Sequence, residues 1–361
     1  MYIPPIYGTY GCGYYRLIWA SQSLMAQGAE IELVDPGERQ LELRRDGENI
    51  IGVNFGDDAP DVIVFQRVTH RFLAQAIPFI REQGVAVVID IDDDLTAIHP
   101  SNPAYEALHP KNEYRRQGGR REPARHSWHH LTSACREATL VTCSTPALAQ
   151  RYGGQKPGRV IFNYLPDFFY SVGDQHQDSD LLGWPAALAS HPDDPSATGG
   201  SIARLITEGA RFHVVADKTG VAEAFGAPGA AITGIEGVNV FDWPHEVTKL
   251  GVGIAPLADT KFNAAKSWLK PLEMSALGVP WVSSPRVEYE RIHRMGAGLV
   301  AERSRVWHRE LRRLLDSPEL RADLAGRGRE VADRLRLDDH VGEWTDAWTY
   351  ALELQRGLVP A

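Results

Sequence analysis

The chain has 361 residues, of which 43% are hydrophobic and 24% charged, with a net charge of −9. That length exceeds one ordinary core and suits two domains of roughly 150 residues each. No apolar run approaches the ~18 residues of a membrane helix, and the acidic balance argues against binding nucleic acid with the whole surface while leaving room for a local basic patch.

In chain order, the N-terminal stretch has no basic segment followed by an apolar one, so it is not read as a secretory leader. The glycine-rich element GTYGCGYYR, Gly8–Arg16, follows. Its glycines let backbone N–H groups approach a ligand, which makes Gly11 and Gly13 candidates for phosphate contact and Arg16 a candidate for a phosphate or an acceptor. A nicotinamide fingerprint would need a long apolar strand just before these glycines, and MYIPPIY is not one. Helical segments YYRLIWASQSLMAQG and HRFLAQAIPFIREQG, each closed by glycine, alternate with the β-branched runs DVIVFQRV, VAVVIDI, ATLVTCST and RVIFNYL. Such alternation predicts a parallel sheet covered on both faces, over residues 1–168. Cys12, Cys135 and Cys143 lack metal-site spacing and suit a reducing, cytoplasmic setting.

At the end of VAVVIDI stand Asp92, Asp93 and Asp94. Clustered like charges at a strand C-terminus would raise a carboxyl pKa, which makes Asp93 and Asp94 candidates for acid–base work, for contact with an acceptor hydroxyl or for a divalent metal. The plain alternative is helix capping with solvated charge. Residues 111–130, KNEYRRQGGRREPARHSWHH, hold six Lys/Arg against two Glu. Arg115, Arg116, Arg120 and Arg121 are the candidates for gripping DNA or another polyanionic acceptor; a solvated loop is the alternative. His126, His129 and His130 have helical spacing but no further ligand, so no metal site is expected.

The polar stretch SVGDQHQDSD makes residues 169–180 the expected linker. A second alternation runs over 181–337 through DLLGW, GGSIARLITEG, ARFHVVAD, KLGVGIAPL and VPWVSSP, then helices, with 338–361 as a last helix. Two tandem Rossmann-like domains would face a central cleft, where such sheets bind ligands. In FNAAKSWLKPLEMSALGVPWV, Pro271 places a helix start near Trp268–Lys270 and Gly278 its end. Free N–H groups at that start, with Lys266 and Lys270 beside them, form a natural anion site. Asn263 and Ser267 lie in the same loop. Glu273, read as lying in the first turn, would accept hydrogen bonds from ribose hydroxyls.

This stretch, with GCGYYRL, VVIDIDDDL, TLVTCSTPALAQRY, VIFNYLP and WTDAWTYAL, resembles the GT-B-fold glycosyltransferases, in particular relatives of glycosyltransferase family 4 of phage and actinobacterial type. The resemblance implies a UDP- or GDP-sugar donor, transfer to an acceptor hydroxyl with retention, no required cofactor, and a last helix packing back on the first domain. It makes Lys266 a diphosphate ligand, Glu273 the ribose ligand and His99 a candidate for the cleft histidine that contacts the sugar in relatives, with an inert loop histidine as the alternative. Family members carry another glutamate eight residues earlier, where this chain has Ala265. They also often carry Arg and Lys after the first strand of the second domain, where GWPAALASHPDD offers only Ser190 and His191. The acceptor is read as a hydroxymethylpyrimidine in phage-type DNA, with a protein or surface glycan, an epimerase or phosphorylase, and a non-catalytic sugar-nucleotide binder as alternatives. A phage-borne version would act in the host cytoplasm.

Overall fold

A computed structural model describes residues 2–3, 11–34, 41–56, 59–108, 114–117, 120–123, 127–154, 158–172 and 180–360. The chain divides into two compact units. The first comprises residues 1–100, 104–162 and 341–361, and the second 101–103 and 163–340.

The strands, in chain order, are β1 (Tyr2–Ile3), β2 (Glu42–Asp46), β3 (Asn49–Asn54), β4 (Val62–Gln66), β5 (Ala86–Ile91), β6 (Tyr114–Gln117), β7 (Arg120–Pro123), β8 (Leu140–Cys143) and β9 (Arg159–Val160) in the first unit. Its main sheet is parallel, in the order β1-β4-β5-β8-β9. β5 is buried at every position, as expected for a central parallel strand covered on both faces. Helix Arg71–Glu82 lays Ile77 and Ile80 into that core, and each fully buried side chain of this size contributes roughly 1.5–3 kcal/mol. Helix Gly342–Gln355 closes the same unit, donating from Trp344 Nε1 to the Arg16 carbonyl at 2.7 Å. The β2–β3 hairpin escapes hydrophobic patterning because β2 carries charge and is mostly exposed.

The second unit adds β10 (Leu181–Trp184), β11 (Arg211–Val214), β12 (Ile232–Gly234), β13 (Val252–Ala255), β14 (Trp281–Ser283) and β15 (Leu299–Val300). They form one parallel sheet in the order β12-β11-β10-β13-β14-β15, so strand order reverses between β10 and β13. Trp184, Val214, Ile254 and Val282 build its core with Trp307, Leu311 and Leu314 from helix Ser304–Asp316.

The boundary departs from the expected linker. Residues 163–172 belong to the second unit and end in helix Phe168–Val172, which occupies the start of the region read as linker. A parallel bridge ties this segment down, in which Leu165 N–H donates to Leu335 O at 3.3 Å and Leu337 N–H donates to Leu165 O at 2.9 Å, and Tyr170 Oη donates to Ala332 O at 2.8 Å. Residues 173–179 lie outside the described residues.

Candidate functional site

In an open parallel sheet, the crevice outside the strand ends at the order reversal is where ligands bind. In the second unit the loops leaving β10 and β13 flank that point, and they carry His191 and Asp194, and Asn263 and Lys266, respectively. Helix Leu269–Ala276 follows at once. Two glycines set its position. A Cβ on Gly253 would stand 2.2 Å from Met274 Sδ, so only glycine in β13 lets the helix pack this close. Gly278, at φ +65°, turns the chain out of the helix in the left-handed region. Trp268, at the N-cap, makes no capping hydrogen bond with its side chain. Its indole Nε1 instead donates to Asn163 O at 2.8 Å, while Asn163 Nδ2 donates to Ser267 Oγ at 2.8 Å. The helix start is therefore anchored from below.

A chain of polar contacts organises the mouth. Asp194 Oδ2 lies 2.8 Å from His191 Nδ1, and His191 Nε2 lies 2.9 Å from Lys270 Nζ. The other Asp194 oxygen accepts from Ala258 N–H at 3.0 Å and from Asn263 Nδ2 at 2.6 Å. Burial first, and Lys270 second, push His191 down to about 4. Asp194 is held below the usual carboxylate range: burial opposes this, but the hydrogen bond to His191 and the Ala258 N–H outweigh it. At neutral pH the assignment follows. The imidazole is neutral, Nδ1–H donates to Asp194, and the Nε2 lone pair accepts from the Lys270 ammonium. Lys266 stands over the Phe262 ring, with Nζ 4.4 Å from its centroid.

The structure thus brings together Asn263, Lys270 and the helix start, with Lys266 and Ser267 in the same loop. It adds His191 and Asp194, which sequence reasoning passed over as a poor substitute for an Arg/Lys pair. The available signal was a histidine and an aspartate three residues apart in the loop after the first strand of this domain. Glu273 is corrected in position. It is the fifth residue of the helix, one turn beyond its start, and only 4% exposed.

The first unit departs further from expectation. Gly11 and Gly13 lie in a helical turn, Gly11–Gly13, that runs through a π-helical turn, Tyr14–Ile18, into helix Trp19–Ala26. They form no open glycine loop; residues 4–10, including Gly8, lie outside the described residues. Arg16, expected to meet a phosphate or acceptor, is completely buried. Its guanidinium donates to both Asp90 oxygens, at 3.0 and 2.9 Å, and to Ile161 O at 2.6 Å. Thr142 Oγ1 donates to the same carboxylate at 2.8 Å. Burial disfavours the charge on Arg16, yet Asp90 reverses this and raises its pKa. Arg16 has no surface to offer a ligand; it ties the first helix to β5.

The three carboxylates after β5 are likewise engaged. Arg67, at φ +50°, pairs with Asp92 and, at 3.0 Å, with Asp93. It also donates to Cys12 Sγ at 3.2 Å. Burial pushes the Cys12 thiol up to about 12, so it stays protonated. Asp94 caps the short helix Leu95–Ala97 by accepting from Thr96 N–H at 3.2 Å. It also accepts from Thr96 Oγ1 at 2.7 Å and Tyr152 Oη at 3.0 Å, and pairs with Arg151 at 3.0 Å. Asp94 is buried, and all of these contacts fall on its Oδ1. Asp93, 18% exposed, keeps the most open carboxylate of the cluster. His99 is half-buried.

Arg115, Arg116, Arg120 and Arg121 lie on β6 and β7, an antiparallel ribbon where a loop was expected. Residues 118–119 and 124–126, with His126, lie outside the described residues, whereas His129 and His130 lie on helix Ser127–Glu137. Among the described residues, no group of three or more His, Cys, Asp or Glu is arranged to hold a metal ion, and no helix is long and apolar enough to cross a membrane.

No family model matches the chain, and no curated protein sequence matches it. Solved structures do. The chain is similar to sucrose-phosphate synthase from Thermosynechococcus elongatus, at 10% identity and a TM-score of 0.59, over 97% of this chain and 98% of that one. It is similar to AviGT4, a glycosyltransferase involved in avilamycin A biosynthesis, at 15% identity and a TM-score of 0.58, over 97% and 91%. Anabaena Alr3699/HepE in complex with UDP matches at 12% identity and a TM-score of 0.56, over 80% and 79%. Against the larger TarM, at a TM-score of 0.55, this chain spans 54% of the length. The fold is that of the GT-B glycosyltransferases.

Proposed function

We propose that this chain is a glycosyltransferase that takes a sugar from a nucleoside-diphosphate sugar, UDP- or GDP-linked, and places it on an acceptor hydroxyl. The observation that carries the reading is the cation-bearing helix start at the order reversal of the second sheet, where Lys270 Nζ lies 2.9 Å from His191 Nε2. HepE has been solved with UDP, and with UDP and glucose, which supports a nucleotide-sugar donor here. In the reaction the bond between the sugar C1 and the β-phosphate oxygen breaks, and its electron pair leaves on the diphosphate. The acceptor oxygen bonds to C1 and loses its proton to the departing phosphate. Lys266, Lys270 and the helix N–H groups offset the negative charge that develops on the leaving group. Glu273 is assigned to the ribose hydroxyls. Asp93 is assigned to the acceptor hydroxyl, with His99 beside it in the chain. Retention at C1 and kinship with glycosyltransferase family 4 belong to the same proposal.

For the acceptor, the basic segment 111–130 favours a polyanion, and a hydroxymethylpyrimidine in DNA is our reading. Incubation with a panel of nucleotide-sugars and acceptors, including hydroxymethylated DNA, followed by mass spectrometry, tests both parts. A hexose-sized mass gain on that DNA supports the full reading. A gain on protein or glycan only would keep the transferase and discard the DNA acceptor. Full activity in both Lys266→Ala and Glu273→Gln would remove the site assignment.

A further inference from the structure

We propose that the first unit carries a ligand site of its own, a cavity for a small amphipathic amine; this does not rest on the donor reading above. Four segments of that unit converge on a cavity of about 630 Å³. Leu17 and Ser21, four residues apart, line it from one face of the first helical stretch, and Val62 and Val64 from one face of β4. Thr345, Trp348 and Leu352 line it from one face of helix Gly342–Gln355. Gly28, at φ +93°, ends helix Trp19–Ala26: its N–H donates to Met25 O and Ala29 N–H donates to Leu24 O, both at 3.0 Å. That turn sends residues 29–32 along the remaining side. Asp61 and Val62 stand where β4 begins, and β4 runs parallel to β5. The cavity therefore lies toward the end of the sheet opposite to Asp92, Asp93 and Asp94, which follow β5.

Two buried polar atoms on the lining residues have no hydrogen-bond partner. Ser21 is 1% exposed and its Oγ is unpaired, and the indole Nε1 of Trp348 is buried and unpaired too. An unmet buried donor costs stability, so two of them on one cavity point to a molecule that meets them. An indole N–H can only donate, so Trp348 lacks an acceptor, whereas the Ser21 hydroxyl can donate or accept. An oxygen at the inner end of a ligand satisfies both. Side-chain torsions commonly adjust on binding, which brings the two buried atoms to that oxygen. Leu17, Val62, Val64 and Leu352 suit an apolar body. At the mouth Glu30 and Asp61 are exposed, and Asp61 pairs with Arg356 at 2.8 Å. No Lys, Arg or His is among the described residues that line the cavity. A positive outer end is therefore favoured there, and a phosphate or carboxylate is disfavoured.

The test is heteronuclear NMR of the indole N–H signals of the full chain, with Trp348→Phe assigning the Trp348 signal. Three probes share one ring. Tyramine carries an oxygen and an ammonium, phenethylamine lacks the oxygen, and hydroxyphenylpropionate has a carboxylate in place of the ammonium. Tyramine should move the Trp348 signal saturably, with a dissociation constant on the order of 1–10 mM for so small a ligand. The other two probes should each bind at least about fivefold more weakly. Glu30→Gln should weaken tyramine about threefold and leave hydroxyphenylpropionate no weaker. Should Trp348→Phe fail to fold, Trp348→Tyr assigns the signal instead. No saturable shift of Trp348 with tyramine would overturn the site. Hydroxyphenylpropionate binding as tightly as tyramine would overturn the amine, and phenethylamine doing so would overturn the inner oxygen.

Discussion

The two units present charge at their strand ends in opposite ways. After β5, Arg67 and Arg151 take up the carboxylates of Asp92, Asp93 and Asp94, and below them Arg16 and Asp90 neutralise each other. After β10 and β13, a single buried carboxylate, Asp194, meets a neutral histidine, and the other ring nitrogen of that histidine meets Lys270. The first arrangement consumes its charge in holding the fold together. The second places a neutral histidine between its carboxylate and a lysine. Carboxylates at equivalent places in two sheets therefore do different work, and what separates them is that those of the first unit meet arginines directly while Asp194 meets a histidine.

The largest effect should come from breaking the buried pair. Arg16→Ala takes the guanidinium from the buried Asp90, which keeps Thr142 Oγ1 as a donor, and should cost about 3–5 kcal/mol. That is a fall of roughly 6–20 °C in the melting temperature of the first unit, read by calorimetry. A stable, inactive Arg16→Ala variant would instead return Arg16 to the ligand.

His191 should give the second unit an acid-sensitive stability. Above about pH 6.5 the histidine is neutral in both folded and unfolded chains. As pH falls from there to about 4, the unfolded chain binds a proton that the folded one excludes. Stability should therefore drop by on the order of 2–3 kcal/mol across that window, with no further loss from this residue below it. Denaturant midpoints at stepped pH should show the slope in wild type and a flatter one in His191→Gln; equal slopes would break the contrast.

Lys270→Ala should weaken nucleoside diphosphate binding by about 10–100-fold, from loss of roughly 1.5–3 kcal/mol of charge-assisted hydrogen bonding, with little change in melting temperature. Asp93→Asn probes the first unit. It should lower the transfer rate about tenfold while leaving nucleotide affinity unchanged, because Arg67 keeps Asp92 as a partner. At the small end, Asp323→Asn breaks only an exposed helical pair with Arg327 and should shift stability by no more than about 0.5 kcal/mol. A larger shift would mean that exposed charge matters here more than the comparison allows.

Much of the architecture was legible in sequence. The fully buried runs VVIDI and GVGIA, alternating with helices ended by glycine, suffice to read parallel sheets, because a strand covered on both faces has nowhere to put polar side chains. Pro271 and Gly278 bracket the site helix for equally local reasons: one cannot sit deep in a helix, and the other readily adopts positive φ. The same rules misplaced Glu273 by a turn, since the helix begins at Leu269 and caps alone do not number its turns. They also missed the β6–β7 ribbon, whose charged strands show no apolar alternation.

What sequence by itself determined is the set of local choices: which segments are strands or helices, where helices stop, and that a cationic loop precedes an apolar helix. Tertiary structure alone decided which charges cancel. Arg16 and Asp90 are 74 residues apart, and His191 and Lys270 are 79 apart, yet one pair is sealed in the core and the other is only partly buried at a helix start. Ionic and hydrogen-bond energies depend on distance and burial in space. A residue's charge can be read from its letter; whether that charge is free to act depends on the neighbour that folding brings beside it.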